Sequence, residues 1–127
     1  MKRGNEYFSV DPNTEKNRMY FEMIGDITVS DVPNFESDWK AAVAELKSGF
    51  TILGDLSKCG KLNPEFEAIN TKVQGWLMQN GCSKVAQLVG NVDVMSQVNA
   101  FAEKSGMREI LRAFNFAKSA EIWLNAK

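Results

Sequence analysis

Histidine is absent from this chain, and its absence removes several kinds of active site at once. Ser-His-Asp and Cys-His nucleophiles need an imidazole as their base, and many zinc sites need it as a ligand. The sequence also lacks a Gly-x-Gly-x-x-Gly string and a Gly-Lys-Ser or Gly-Lys-Thr string, so it offers no dinucleotide fingerprint and no phosphate-binding loop. We therefore expect a protein that is not an enzyme and that carries no cofactor and no metal ion.

Cysteine is scarce, and long apolar runs are missing. Cys59 and Cys82 form neither a Cys-x-x-Cys pair nor a disulfide framework, which favours free thiols in a reducing compartment. No segment approaches the ~20 apolar residues that a membrane-spanning helix needs, and no apolar segment follows the basic residues at the N-terminus. These features predict a cytoplasmic protein without stable membrane insertion.

The chain also lacks an excess of charge of either sign. Its 15 basic and 16 acidic side chains give a formal charge of −1. Cationic side chains supply most of the attraction between proteins and DNA, and a nearly neutral chain has no overall field of that kind. We expect no nucleic acid among its partners.

The remaining composition is that of an ordinary folded domain. The chain has 127 residues, of which 44% are hydrophobic and 24% are charged, and this suffices for one buried core. No repeat, low-complexity run or linker divides it. We expect one domain that spans residues 1–127.

Two strands are predicted near the N-terminus, at residues 6–10 and 18–24. In the second strand Phe21 and Met23 alternate with more polar residues. The Asp-Pro-Asn-Thr string at 11–14 has turn chemistry, and so short a connection joins antiparallel strands.

A helix is predicted next, with Ser30 as its N-cap, Pro33 in its first turn and Gly49 at its end. The apolar run at residues 50–56 then has the pattern of a strand that is covered on both faces in a parallel sheet. A polar loop is expected to follow this strand.

The second half of the chain alternates helices and strands. The predicted elements are a helix from Asn63 and Pro64 to Asn80 and Gly81, a strand at 84–89, a helix from Asp93 to Gly106, a strand at 109–114 and a helix at 115–125. This order predicts an α/β fold: a mostly parallel five-stranded sheet with an antiparallel N-terminal strand and about four helices.

The polar segment at 55–62 is the strongest candidate for a site, because ligands of parallel sheets bind at the carboxyl ends of the strands. A thiol between two lysines, as at Cys59, would have a lowered pKa if the ammonium groups approached it. Spacing alone specifies a site weakly, so we favour the alternative that these are solvated loop residues. The chemistry-bearing residues are Asp55, Ser57, Lys58, Cys59 and Lys61.

Three local strings, taken with the order of the elements, point to a known family. They are Asp-Leu-Ser at 55–57, Gly-Cys-Ser-Lys-Val-Ala at 81–86 and Phe-Ala-Lys-Ser-Ala-Glu-Ile-Trp-Leu at 116–124. On these strings the chain resembles the STAS domain, and more narrowly the SpoIIAA-like bacterial proteins related to anti-sigma factor antagonists. The resemblance spans residues 7–124.

The resemblance implies a non-enzymatic regulatory module that docks a regulatory protein partner around the start of its second helix. Antagonists of the family carry an Asp-Ser-Ser-Gly motif there and are switched by phosphorylation of a serine. This chain has Asn-Pro-Glu-Phe instead, so Pro64 occupies the phosphoacceptor position and the usual serine switch is not expected. The predicted partner-binding residues are Asp55, Ser57, Lys58, Lys61, Asn63 and Glu65.

A second function stays open, because SpoIIAA-like chains also resemble the lipid-binding Sec14 fold. The methionine and aromatic residues of the predicted helices would suit a small apolar ligand or lipid, provided that a cavity exists between helix and sheet. An enzymatic function would depend on Cys59 alone, as a candidate nucleophile. The sequence also leaves open whether the chain forms a homodimer.

Overall fold

The computed structural model describes residues 2–90, residue 103 and residues 106–126. Within them, six strands form one sheet in which the spatial order is the order along the chain. The strands are β1 (Arg3–Gly4), β2 (Phe8–Asn13), β3 (Arg18–Ile27), β4 (Thr51–Leu62), β5 (Lys84–Val89) and β6 (Leu111–Phe114). The α-helices are α1 (Phe35–Val43), α2 (Pro64–Gln79) and α3 (Ala117–Asn125), and short 3-10 helices lie at Val29–Asp31 and Met107–Ile110.

The direction of the connections decides which face of the sheet α1 and α2 cover. The first three strands pair antiparallel, whereas β3, β4, β5 and β6 pair in parallel in that order. Crossovers between parallel strands are right-handed, so successive crossovers in one direction place their helices on one face. Accordingly α1 and α2 share a core on one face. The last helix, α3, follows β6 and lies in no crossover, and it packs on the opposite face.

Aromatic rings join both helices of the first face to the sheet. The ring centroid of Phe35 lies 4.6 Å from that of Phe8 and 4.8 Å from that of Phe66. The Trp39 ring meets Phe21 edge-on at 5.3 Å. Because these rings come from α1, α2, β2 and β3, their burial stabilises all four elements together.

The predicted α/β fold is confirmed, and the second helix and fourth predicted strand agree closely. Asn63 is the N-cap of α2, Pro64 is its first residue, and β5 matches the strand predicted at 84–89. The sheet has six strands instead of five because Arg3–Gly4 adds a short strand beside β2. No described helix is long and apolar enough to cross a membrane.

The last part of the chain agrees in the order of its elements. A 3-10 helix precedes β6, so this strand begins two residues later than the predicted 109–114, and α3 likewise begins after the predicted residue 115. The helix predicted from Asp93 to Gly106 lies outside the described residues, apart from 103 and 106. The fold therefore agrees with the expected order wherever the chain is described.

The predicted start of the first helix is wrong. Its first residue is Phe35, and the expected cap Ser30 lies in the preceding 3-10 helix. Val32 has φ −131° and ψ 62°, outside the helical region, because the ring of Pro33 disfavours helical backbone in the residue before it. Proline thus delays the helix, which also ends before the predicted Gly49.

The predicted turn of the first hairpin is also wrong. β2 continues through Asn13, and the turn lies at 14–17. On one side of β2, Pro12 pairs with Met19 of β3. On the other side of β2, the pairing with β1 reaches only as far as Val10. The missing N–H of the proline therefore falls on a part of the edge that no described strand covers, where proline is tolerated.

β4 runs on where a polar loop was predicted, and this correction moves the candidate site onto the sheet. The strand continues to Leu62 in parallel with β3, and the register shifts twice, each time with one extra residue on β4. Each bulge displaces the inward face by one residue, so Leu56, Cys59 and Leu62 face the core at intervals of three. The alternation that identifies a strand is lost, which explains the wrong prediction.

A buried arginine fastens α3 to the sheet. Arg18 is 3% exposed, and its guanidinium donates to Thr51 Oγ1 (2.9 Å), Glu121 Oε2 (2.6 Å) and Asn125 Oδ1 (2.9 Å). The Tyr20 hydroxyl donates to the other Glu121 oxygen at 2.7 Å. These bonds satisfy a charge that would be costly to bury alone, and they fix the position of the helix on β3 and β4.

A lysine holds the C-terminal end of the same helix. Lys84 Nζ donates to the carbonyl oxygens of Trp123 (3.1 Å) and Ala126 (2.6 Å), where a positive charge also complements the helix dipole. Lys84 and Arg112 lie 5.1 and 5.0 Å from the centroid of the Trp123 ring. Polar contacts therefore secure α3 from its middle to its C-terminal end.

The first prediction concerns Glu121→Gln, which removes the charge that Arg18 faces. We expect the free energy of unfolding in urea to fall by about 1.5–3 kcal/mol, because the buried guanidinium loses a charge-assisted hydrogen bond. Glu109→Gln makes the same change at an exposed position and should have little effect. Equal effects of the two variants would contradict the role given to Arg18.

The second prediction is a pH dependence of the same contact. Burial raises the pKa of Glu121, but the hydrogen bond from Tyr20 and the charges of Arg18 and Lys16 outweigh it, so the pKa lies below its usual value. A lowered folded-state pKa gives stability that is present above the unfolded pKa, about 4.3, and is lost as the pH falls through the folded pKa. The stability difference between wild type and Glu121→Gln should thus be constant near neutral pH and shrink below about pH 4. A difference that grows on acidification would contradict it.

Candidate functional site

The six residues predicted to bind a partner lie on one continuous stretch, from the middle of β4 into the first turn of α2. The last pair between β4 and β5 is Leu56 with Val89, and β4 continues beyond it alongside β3. Four of the six are exposed, namely Ser57, Lys58, Lys61 and Glu65. The other two, Asp55 and Asn63, are half-buried.

Asp55 and Ser57 are bonded to each other at the first bulge. One carboxylate oxygen of Asp55 accepts from the Ser57 backbone N–H (3.0 Å) and from its hydroxyl (2.6 Å). Gly90, just after β5, packs so closely here that a Cβ at this position would overlap the Ser57 carbonyl oxygen. The hydroxyl of Ser57 is therefore engaged within the chain, and its backbone is fixed from two sides.

Asp26, at the end of β3, fixes the second bulge. Its Oδ1 accepts a hydrogen bond from the backbone N–H of Lys61 at 2.7 Å. Gly60 permits this approach, because a Cβ there would overlap the Asp26 carboxylate. Sequence reasoning missed Asp26 and Gly60, since they lie far apart in the chain and no local pattern indicates that they meet.

Asn63 joins the end of β3 to the start of α2. Its backbone N–H donates to the Ile27 carbonyl at 3.0 Å, and its side-chain oxygen accepts from the Glu65 N–H at 2.8 Å. Pro64 occupies the first helical position, where its missing donor costs nothing. The exposed carboxylate of Glu65 then lies at the helix N-terminus, where negative charge is favourable.

Cys59 lies within this stretch but is not an activated thiol. It is 3% exposed, and burial, aided by the charge of Asp26, raises its pKa to about 11. The possibility that Lys58 and Lys61 lower this pKa is thus wrong, because the bulged strand turns the thiol into the core while both lysines stay exposed. Burial also raises the pKa of Cys82, to about 12.

The sheet face that carries α3 has an open groove of about 390 Å³ beside the helix. Asp55 lines it and is in register with Glu22 of β3 on one side and Leu88 of β5 on the other. Asp11 and Glu121 also line the groove, whereas the other five predicted residues do not. Among the described residues, no group of three or more carboxylates or thiols is arranged to hold a metal ion.

The core face offers little room for the alternative function, carriage of an apolar ligand. Between α1, α2 and the sheet, the described residues surround a cavity of about 30 Å³. Pockets for drug-sized molecules usually measure several hundred Å³, and this volume corresponds to one or two water molecules. The described part of the core therefore gives no support to a lipid carrier.

Comparison with known proteins identifies the fold. No family model matches the chain, and no curated protein matches it. Among solved structures it is similar to an uncharacterized protein of the DUF3478 family, with a SpoIIAA-like fold, from Shewanella loihica PV-4. The sequences are 15% identical, the match covers 98% of each chain, and the TM-score is 0.68. At this identity the likeness concerns the fold alone, and the chain has the SpoIIAA-like fold that its sequence predicts.

Proposed function

We propose that this chain is a non-enzymatic regulatory module of the STAS type, which acts by docking a partner protein. The observation that carries the proposal is the exposed and firmly anchored stretch at the end of β4 and the start of α2. Its docking residues are Ser57, Lys58, Lys61 and Glu65, with Asp55 and Asn63 as the residues that hold the backbone beneath them.

Anchoring makes this stretch suitable for recognition. Gly90 packs on Ser57, Asp26 binds the backbone of Lys61, and Asn63 ties the strand end to the helix. A surface that is ordered before binding loses little conformational entropy when a partner arrives. Its exposed charges are of both signs, which favours selection of one complementary partner over general attraction to polyanions.

The module would bind without the serine switch of the family. Pro64 has no hydroxyl at the position of the phosphoacceptor, and the nearby Ser57 already donates its hydroxyl hydrogen to Asp55. Glu65 supplies a permanent single charge where a phosphoserine would add nearly two. We therefore propose binding that does not depend on phosphorylation.

A cytoplasmic location is part of the proposal. Cys59 and Cys82 are both free and buried, which is the usual state of structural thiols in a reducing compartment. The interaction would accordingly take place with another intracellular protein.

The third prediction tests the docking residues by charge reversal. In a lysate of the source organism, the tagged Lys58→Glu/Lys61→Glu variant should recover at least about tenfold less of the specific partner than the wild type, because reversed charges repel the complementary surface. Quantitative mass spectrometry of the captured proteins measures the ratio. A photo-crosslinking amino acid at position 61 should attach to the same partner.

The matched control is Lys47→Glu/Lys118→Glu, which makes the same change of net charge at two exposed lysines outside the stretch. It should retain the partner at the wild-type level. Equal loss in both double variants, or crosslinking of the partner from position 118 but not from 61, would place docking elsewhere.

The fourth prediction tests the absence of thiol chemistry. With a pKa of about 11, about one Cys59 in a thousand is a thiolate at pH 8, so alkylation of the folded protein should be far slower than in urea. Iodoacetamide labelling followed by peptide mass spectrometry gives the rate at each cysteine. Fast labelling of Cys59 in the folded protein, while Cys82 stays protected, would instead favour a nucleophilic role.

A further inference from the structure

We propose that the small cavity between α1, α2 and the sheet is a binding site for one hydroxyl group, that of water or of a one-carbon alcohol, held between Trp39 and Gln87. Both side chains line the cavity, together with Asn70, Gln74 and several apolar residues. The cavity thus has a polar component that the apolar-carrier hypothesis did not anticipate.

Gln87 is an unusual residue for its position in the core. It is 4% exposed in β5, on the same face as Val85, and its side-chain oxygen has no hydrogen-bond partner among the residues that the structure describes. In the sheet it lies in register between Gly54 of β4 and Ala113 of β6. The ring of Phe21, which also lines the cavity, lies over Gly54, where a Cβ would overlap it. The amide of Gln87 therefore lies next to an aromatic ring that cannot bond its oxygen.

Trp39 brings a second buried group of the opposite kind. The residue is 4% exposed, and within the described part of the chain its indole N–H also has no hydrogen-bond partner. Its ring is held against Phe21 at 5.3 Å and Phe8 at 6.1 Å, so it cannot turn outward without breaking the aromatic cluster. One cavity is therefore lined by a residue with an unpaired donor and a residue with an unpaired acceptor.

The chemistry of these two groups defines the ligand. Buried polar groups are nearly always hydrogen-bonded, and internal water commonly supplies the missing bonds. A hydroxyl can accept from the indole and donate to the amide oxygen, whereas a hydrocarbon could do neither. An ion would bring an unpaired charge into a site that has no charged lining residue among those described.

The volume sets the size of the ligand. A cavity of about 30 Å³ admits one or two atoms other than hydrogen, which excludes longer alcohols, sugars and fatty acids. Water and methanol are the two sources of a hydroxyl that fit. The proposal does not depend on partner docking, since the cavity lies on the core side of the sheet.

Nuclear magnetic resonance on the wild-type protein tests the site directly. Dipolar cross-peaks between water and the indole N–H of Trp39, with the sign of long-lived contact and not of proton exchange, are the expected result when the ligand is water. With added ¹³C-methanol, cross-peaks from its methyl group to Trp39 identify the alcohol as a ligand. If neither set of cross-peaks appeared at Trp39, the proposal would be overturned.

Two variants then test whether Gln87 shares the ligand. Gln87→Met keeps the volume but removes the acceptor, and it should abolish the ligand cross-peak at Trp39. Gln79→Met makes the same change at an exposed residue and should preserve it. Persistence of the cross-peak in a folded Gln87→Met protein would show that the indole binds its ligand alone and would contradict the bridge. Should that variant not fold, the wild-type measurement still decides whether the site exists.

Discussion

The parallel pairing of β3 with β4 is the constraint on which the rest of the structure depends. It is the longest strand pair in the described sheet, and it lies between the antiparallel hairpin and the strands that follow. On one face it carries residues that pack under α1 and α2, and on the other it carries Tyr20 and the start of the groove beside α3. Its two bulges also let β4 extend beyond β5, which creates the candidate docking stretch.

The two faces of this sheet are held by different interactions. Burial of aromatic rings, Phe8, Phe35 and Trp39 among them, secures the face of α1 and α2. The opposite face has a small apolar cluster, which includes Leu53 and Leu124, and it relies on the ion pair of Arg18 with Glu121. Apolar burial is nearly independent of pH, whereas an ion pair is not, so acid should loosen α3 before it affects the other face.

Sequence patterns predicted this fold wherever local chemistry determines an element. The Asn63-Pro64 start of α2 needs only the preferences of neighbouring residues, and β5 needs only a short apolar run. The patterns failed where a contact distant in sequence decides the backbone. Residues 57–62 look like a loop in the sequence because their bulged pairing with β3 depends on the contact of Gly60 with Asp26. No local sequence pattern indicates that these two residues meet. For the same reason the six proposed docking residues could be named from the sequence, but the contacts that anchor them could not.

The geometry of β4 also explains why surface recognition is favoured over ligand carriage. A strand without bulges would continue the alternation from Leu56, which would turn Lys58 towards the core and Cys59 away from it. The bulges instead return Cys59 and Leu62 to the core, so the inward positions are filled by the same segment that presents Lys58 and Lys61 outward. Inward filling and outward presentation are thus two results of one backbone distortion. A larger cavity would require removal of the inward side chains, and this would release the strand that carries the docking residues.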